Sequence, residues 1–193
     1  MVSLNSLKNY GGIQLRDIHR GEDLCIPFDL YNFLVNNQYK YTFDFDIFLP
    51  TKGFNLQRPY IWNDLQKEEL IWSCIYGRDI SKFIFIKHES DTLQIIDGKQ
   101  RLLTLKYFME NKFPIHFEGR DIYWRDLDQD AKYHISNRVS IRYNVYYSYD
   151  DQPITDDEKI LIFSMFNFSG TLQDKKHKLR LLKIIREAKK SGR

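Results

Sequence analysis

Disulfide scaffolding, structural zinc and membrane insertion all need residues that this 193-residue chain does not supply. It has two cysteines, Cys25 and Cys74, too few for a disulfide framework and without CxxC spacing. Both read as free thiols in a reducing compartment. The five histidines (His19, His88, His116, His134, His177) show no HxH, HxxxH or HExxH spacing, so no metal site is expected. No stretch approaches the ~18 apolar residues of a membrane span. Met1 to Gly12 is polar and lacks the apolar core of a signal peptide. The expectation is a soluble, cytoplasmic protein. Also missing are GxxxxGK[ST], which removes Walker-type phosphate geometry, a nucleophile elbow, an HNH-like ligand set and a PD…(D/E)xK spacing.

Apolar material is plentiful, with 42% hydrophobic and 16% aromatic residues. That suffices for a core and excludes disorder over most of the length. Lys plus Arg is 29 against 26 for Asp plus Glu, a net charge of +3 that neither demands nor excludes nucleic acid. The excess sits at the C-terminus. Lys175, Lys176, Lys178 and Arg180 begin a basic run that continues to Arg193, opposed after Asp174 only by Glu187. A solvated helix face explains most such runs, and contact with a phosphate backbone is the sharper reading.

Periodicity predicts an α+β domain. Residues 1–23 read as a polar N-terminal arm, 24–172 as the folded domain and 173–193 as a basic C-terminal helix. A short helix is expected over 27–37 and a half-buried strand from Tyr41 to Ile47, where apolar and polar residues alternate. A helix over 65–76 follows, capped by Asn63 or Asp64 and stopped by Gly77. Lys82–Lys87 and Thr92–Ile96 read as strands, and a helix runs from Asp97 to about Glu110, with Asn111 as its terminator. Strands at 113–117 and 122–124, a helix near 126–136 and a strand at 139–147 complete the middle. Thr155-Asp156-Asp157-Glu158 is a capping box that opens a helix to Asn167, and Ser169-Gly170-Thr171 breaks it.

Three segments carry chemistry. In Ile95-Ile96-Asp97-Gly98-Lys99-Gln100-Arg101-Leu102-Leu103-Thr104-Leu105 an apolar strand runs into a helix N-terminus, with polar groups gathered at the junction. Such a terminus offers unpaired N–H groups and partial positive charge to a phosphate. Gly98 permits close backbone approach, and Arg101 can fork onto phosphate oxygens. On residue types alone, an ordinary Asp-Gly turn with a solvated arginine explains the segment equally well. Gln57-Arg58-Pro59-Tyr60-Ile61-Trp62 packs an amide, a guanidinium and two aromatics into six residues. It is either an extended core segment or a source of ligand contacts from Gln57 and Arg58. Phe166-Asn167-Phe168-Ser169-Gly170-Thr171-Leu172-Gln173 reads as helix-end capping, with Asn167 as a further candidate contact.

QRPYIW followed by IIDGKQRLLTL resembles the N-terminal domain family of GmrSD-type restriction endonucleases, whose signature is QRxYxW and then DGQQR at a helix start. The segment FNFSGTLQ is similar to that family's later stretch after a helix. The likeness spans roughly residues 40–182. It implies a ParB/sulfiredoxin-like mixed sheet with flanking helices and a helical C-terminal extension. It further implies a nucleotide-binding domain, with NTPase activity in view, in a DNA-directed restriction or phage-defence setting. Asp97, Gln100 and Arg101 would be catalytic. Gln57, Arg58, Gly98, Lys99, Thr104 and Asn167 would bind nucleotide phosphates with Mg²⁺. Lys175, Lys176, Lys178 and Arg180 would touch nucleic acid. Lys99 departs from the family's commoner Gln. No nuclease motif is recognisable, so if DNA is cut, either a separate nuclease subunit does it or a catalytic site without a known motif lies within this domain. The alternatives are a non-catalytic DNA-binding module and a regulatory partner that keeps the fold without the activity.

Overall fold

The run Phe83-Ile84-Phe85-Ile86 has no polar face, and in the computed structural model of the protein both of its faces are buried. The structure describes residues 18–20, 24–26, 30–36, 42–87, 92–138, 141–148, 153–167 and 183. In chain order the strands are β1 (Ile18–Arg20), β2 (Leu24–Ile26), β3 (Thr42–Asp44), β4 (Phe48–Leu49), β5 (Phe54–Asn55), β6 (Phe83–Lys87), β7 (Thr92–Asp97), β8 (Ile115–Phe117), β9 (Arg120–Ile122) and β10 (Ile141–Ser148). The α-helices are α1 (Leu30–Leu34), α2 (Asp64–Ile75), α3 (Lys99–Met109), α4 (Gln129–Tyr133) and α5 (Asp156–Asn167). The fold is α+β, as the periodicity predicts.

The main sheet has the order β1-β10-β6-β7-β3, with β2 also paired to β10. It is mixed. β6 and β7 form an antiparallel hairpin, whereas β10 lies parallel to β6 and β3 parallel to β7. Two cores sandwich it. Phe83, Phe85, Leu93 and Ile95 point to one face and pack with Leu102, Leu105, Phe108 and Met109 of α3 and Leu70, Ile71 and Cys74 of α2. Ile84, Ile86 and Ile96 point to the other face. There they meet Ile160, Ile162 and Phe163 of α5 and Ile47, Leu49, Phe54 and Leu56 of the β4–β5 hairpin. Burial on both faces removes the alternation a one-sided strand would show.

Local chemistry sets the helix ends. Asn63 accepts from the Gln66 N–H at 2.9 Å, while the Gln66 side chain accepts from the Asn63 N–H at 3.1 Å. The C-terminus of α2 closes with Gly77 N–H on Cys74 O and Arg78 N–H on Ser73 O, and Gly77 takes φ +64°. Asn111, at φ +60°, ends α3 by the same pattern. Thr155 and Glu158 cap α5, whose Thr155 N–H donates to Glu158 Oε2 at 2.7 Å.

Several boundaries differ from the expectation. Ile18–Arg20, expected in a polar arm, pairs with Tyr146–Ser148 of β10. The alternating strand from Tyr41 yields only Thr42–Asp44, because the Asp46 N–H turns back to Asp44 Oδ1 at 2.9 Å and ends the ladder. The β8–β9 turn is just Glu118-Gly119, with φ +49° and +75° at its two central positions, so β9 begins at Arg120, closer to the turn than expected. The helix expected near 126–136 splits into a 3₁₀ turn at Trp124–Asp126, then α4, then a π turn at His134–Arg138. The predicted C-terminal helix over 173–193 lies outside the described residues, apart from helical Lys183.

Candidate functional site

Strand β7 runs through Asp97 and one glycine into α3. Gly98 sits at φ +101°, a left-handed conformation that side chains disfavour. A Cβ there would lie 2.4 Å from Phe83 Cδ1 and 3.2 Å from Arg101 Nη2. The glycine is therefore required twice, by backbone angle and by space. No side chain caps α3. Leu102 N–H is the first amide of the helix to return to the turn, at Gly98 O.

The three side chains that follow diverge around the helix, about 100° apart, and each ties down a different segment. Lys99 Nζ donates to Asp46 Oδ1 at 2.8 Å. Gln100 Nε2 donates to Pro59 O at 2.9 Å, and its Oε1 accepts the Ile61 N–H at 2.9 Å. Arg101 reaches back to the loop before β6. It donates to the carbonyls of Ile80, Ser81 and Lys82 and to Asp97 Oδ2, the last two at 3.0 Å. Its guanidinium also lies 4.7 Å from the centroid of the Phe83 ring. The loop it clamps contains Ser81 at φ +66°, an uncommon angle for a residue with a side chain.

The QRPY segment is joined to the same turn. Gln57 Nε2 donates to Ile95 O and Ile96 O at 2.6 and 2.8 Å, fixing the segment to the end of β7. Thr104 donates its hydroxyl to Gln100 O, which can only accept, so in the 2.8 Å pair with Tyr60 the phenol is the donor. Gln57, Lys99 and Gln100 are each 8% exposed and Thr104 is fully buried. Arg58 differs. It is half-buried and makes no hydrogen bond or ion pair with a described residue, although its charge acts on Asp97 through space.

Burial pushes the Asp97 carboxyl above its ordinary value, against the attraction of Arg101 and Arg58. Burial likewise lowers the Arg101 guanidinium, while Asp97 and Asp79 oppose that shift. The Asp97 side chain keeps 34% exposure. Asp97 and Arg58 thus form the part of the turn that meets solvent, above buried Gly98, Lys99 and Gln100.

Eight of the expected site residues therefore lie on or beside the β7–α3 turn, with their side chains directed to different partners: Gln57, Arg58, Asp97, Gly98, Lys99, Gln100, Arg101 and Thr104. Asn167 closes α5, with its side chain outside the described residues, as are Lys175, Lys176, Lys178 and Arg180. The sequence reading missed Asn55, Asp46, Phe83 and the Ile80–Lys82 loop. Asn55, two residues before Gln57, carried the one available signal, because its Oδ1 accepts the Gln57 N–H at 2.9 Å in a local turn. Gln100→Leu is expected to cost about 1–3 kcal/mol, since it leaves the Ile61 N–H and Pro59 C=O unpaired. Denaturant unfolding would measure it.

A family model described as GmrSD restriction endonuclease, N-terminal domain, matches residues 34–190. No curated protein and no solved structure matches the chain. The matched span takes in both motifs, the turn between β7 and α3, and most of the main sheet. The chain belongs to the GmrSD restriction endonuclease N-terminal domain family.

Proposed function

We propose that this domain binds a nucleoside triphosphate, with the phosphates at the β7–α3 turn and Arg58 as their principal cation. The observation that carries the reading is the contrast between the arginines. Arg101 spends its donors on three carbonyls and Asp97, whereas Arg58 stands beside the same turn with none spent on a described residue. An uncapped helix start adds backbone N–H groups at the turn. On this reading Gln57, Gln100, Thr104 and Arg101 build the site and Arg58 and Asp97 face the ligand. The ParB/sulfiredoxin-like reading of the fold belongs to the same proposal, resting on the strand-turn-helix formed by β7 and α3.

The residues fit a nucleotide with Mg²⁺ better than a resident metal. Among the described residues no group of three His, Cys, Asp or Glu could hold an ion. Mg²⁺ arriving with the nucleotide needs only one or two carboxylates besides the phosphates, and would neutralise their charge. Asp97 supplies one carboxylate. Hydrolysis would rest on positioning and charge stabilisation, with Asp97 orienting water or ion and Arg58 facing the developing phosphate charge. Titrating GTP, CTP and ATP with Mg²⁺ by calorimetry tests the proposal. Binding of at least one is expected, and binding of none would end it.

The family's description as a restriction endonuclease domain favours a second reading. The same turn would hold a DNA phosphate, the basic run from Lys175 would add affinity, and a separate nuclease subunit would cut. Binding would then weaken steeply with salt. Among the described residues no helix is long and apolar enough to cross a membrane.

A further inference from the structure

Lys99 directly follows the turn glycine, and a lysine next to the proposed phosphate site invites the reading of a phosphate ligand. Its geometry says otherwise. Lys99 Nζ lies 2.8 Å from Asp46 Oδ1, and its side chain is only 8% exposed. The same carboxylate oxygen accepts from Asn55 Nδ2 at 3.0 Å. Asn55, thus oriented, uses its Oδ1 to accept the Ile47 N–H at 3.1 Å and the Gln57 N–H at 2.9 Å. Gln57 is then fixed to Ile95 O and Ile96 O, and the next residue is Arg58.

An unbroken chain of hydrogen bonds therefore runs from the DGKQR motif to the QRPY motif by way of Asp46 and Asn55. Gln94 steadies its outer end, donating to Asp44 Oδ2 at 2.8 Å and to Asp46 O at 3.3 Å. We infer that Lys99 is a positioning residue, whose ammonium holds Asp46 and Asn55 so that the Gln57–Arg58 segment is presented at the β7–α3 turn. The inference rests on the nucleotide reading for the role of Arg58, and on geometry alone for the linkage. The Lys99 hydrogen bond also holds the Asp46 carboxyl below its ordinary range, with Asn55 adding to the effect.

A cycle of Lys99→Met, Asp46→Ala and the double variant separates positioning from direct contact. A phosphate-binding Lys99 would be released by Asp46→Ala, which would leave nucleotide affinity unchanged or tighter. A positioning Lys99 predicts the opposite. Each single variant should weaken Mg²⁺–nucleotide binding by roughly three- to tenfold, and the double variant should be no worse than the weaker single. Lys99→Arg, which keeps a charged donor, should restore most of the affinity. The NMR signal of the Arg58 Nε–H should shift alike in both single variants without any ligand. If the wild type binds no nucleotide, the functional reading fails, and that Arg58 signal with the thermal midpoints still decides the linkage. Additive losses in midpoint and an unmoved Arg58 signal would overturn it, and non-additive losses with a shifted signal would uphold it.

Discussion

Gly98→Ala is expected to lower stability by about 3 kcal/mol, combining the strain of a left-handed alanine with overpacking of the core. Neither part has an easy escape. The new methyl would meet Phe83 Cδ1 at 2.4 Å, and Phe83 is fully buried. Its ring is held between the Arg101 guanidinium, 4.7 Å from its centroid, and Phe85, stacked at 6.4 Å. Moving the ring disturbs the core beneath α3, and moving the backbone disturbs the ties of Lys99, Gln100 and Arg101. For a chain of this size the loss corresponds to a fall of roughly 6–12 °C in the unfolding midpoint. Differential scanning calorimetry would measure it. A midpoint within about 2 °C of wild type would mean that the turn is not held as described.

Arg101→Ala is expected to cost more, about 3–5 kcal/mol, because it abandons a partly buried ion pair together with several backbone acceptors. The guanidinium donates to Ile80 O, Ser81 O, Lys82 O and Asp97 Oδ2, and its side chain is 16% exposed. Removing it leaves Asp97 half-buried without its ion-pair partner and frees a loop that includes Ser81 at φ +66°. Arg101→Lys should recover little, since one ammonium cannot reproduce a fork that spans three successive carbonyls. Urea unfolding of both variants would show the ordering, with lysine close to alanine. A lysine variant as stable as wild type would deny the clamp. A loss of ligand binding in Arg101→Ala would therefore report on folding as much as on contact.

These two residues show where sequence reading succeeds and where it stops. The elements were legible because their signals are local. Asn63 with Gln66, Thr155 with Glu158, and the stops at Gly77 and Asn111 are short-range hydrogen-bond chemistry. The sheet order was not legible. β10 pairs with β6 in parallel across more than fifty residues, and nothing in either strand names its neighbour. Within the site, Gly98 and the strand-to-helix turn could be read from residue types. That the two motifs share one site came from their resemblance to a family. The partners of Gln57, Gln100 and Arg101 were hidden because most are backbone carbonyls, which every residue carries and no sequence pattern marks. Arg58 and Arg101 look alike as residues in motifs, and only their surroundings separate a spent guanidinium from one with no partner among the described residues.

That difference is the central claim, and Arg58→Ala tests it most directly through one paired measurement of the unfolding midpoint and the Mg²⁺–nucleotide dissociation constant. Arg58 makes no hydrogen bond or ion pair with a described residue, so the midpoint should stay within about 2 °C of wild type. Loss of a charged phosphate contact should weaken binding by about 10- to 100-fold. Unchanged affinity in a variant of unchanged stability would contradict the account and remove Arg58 from the site.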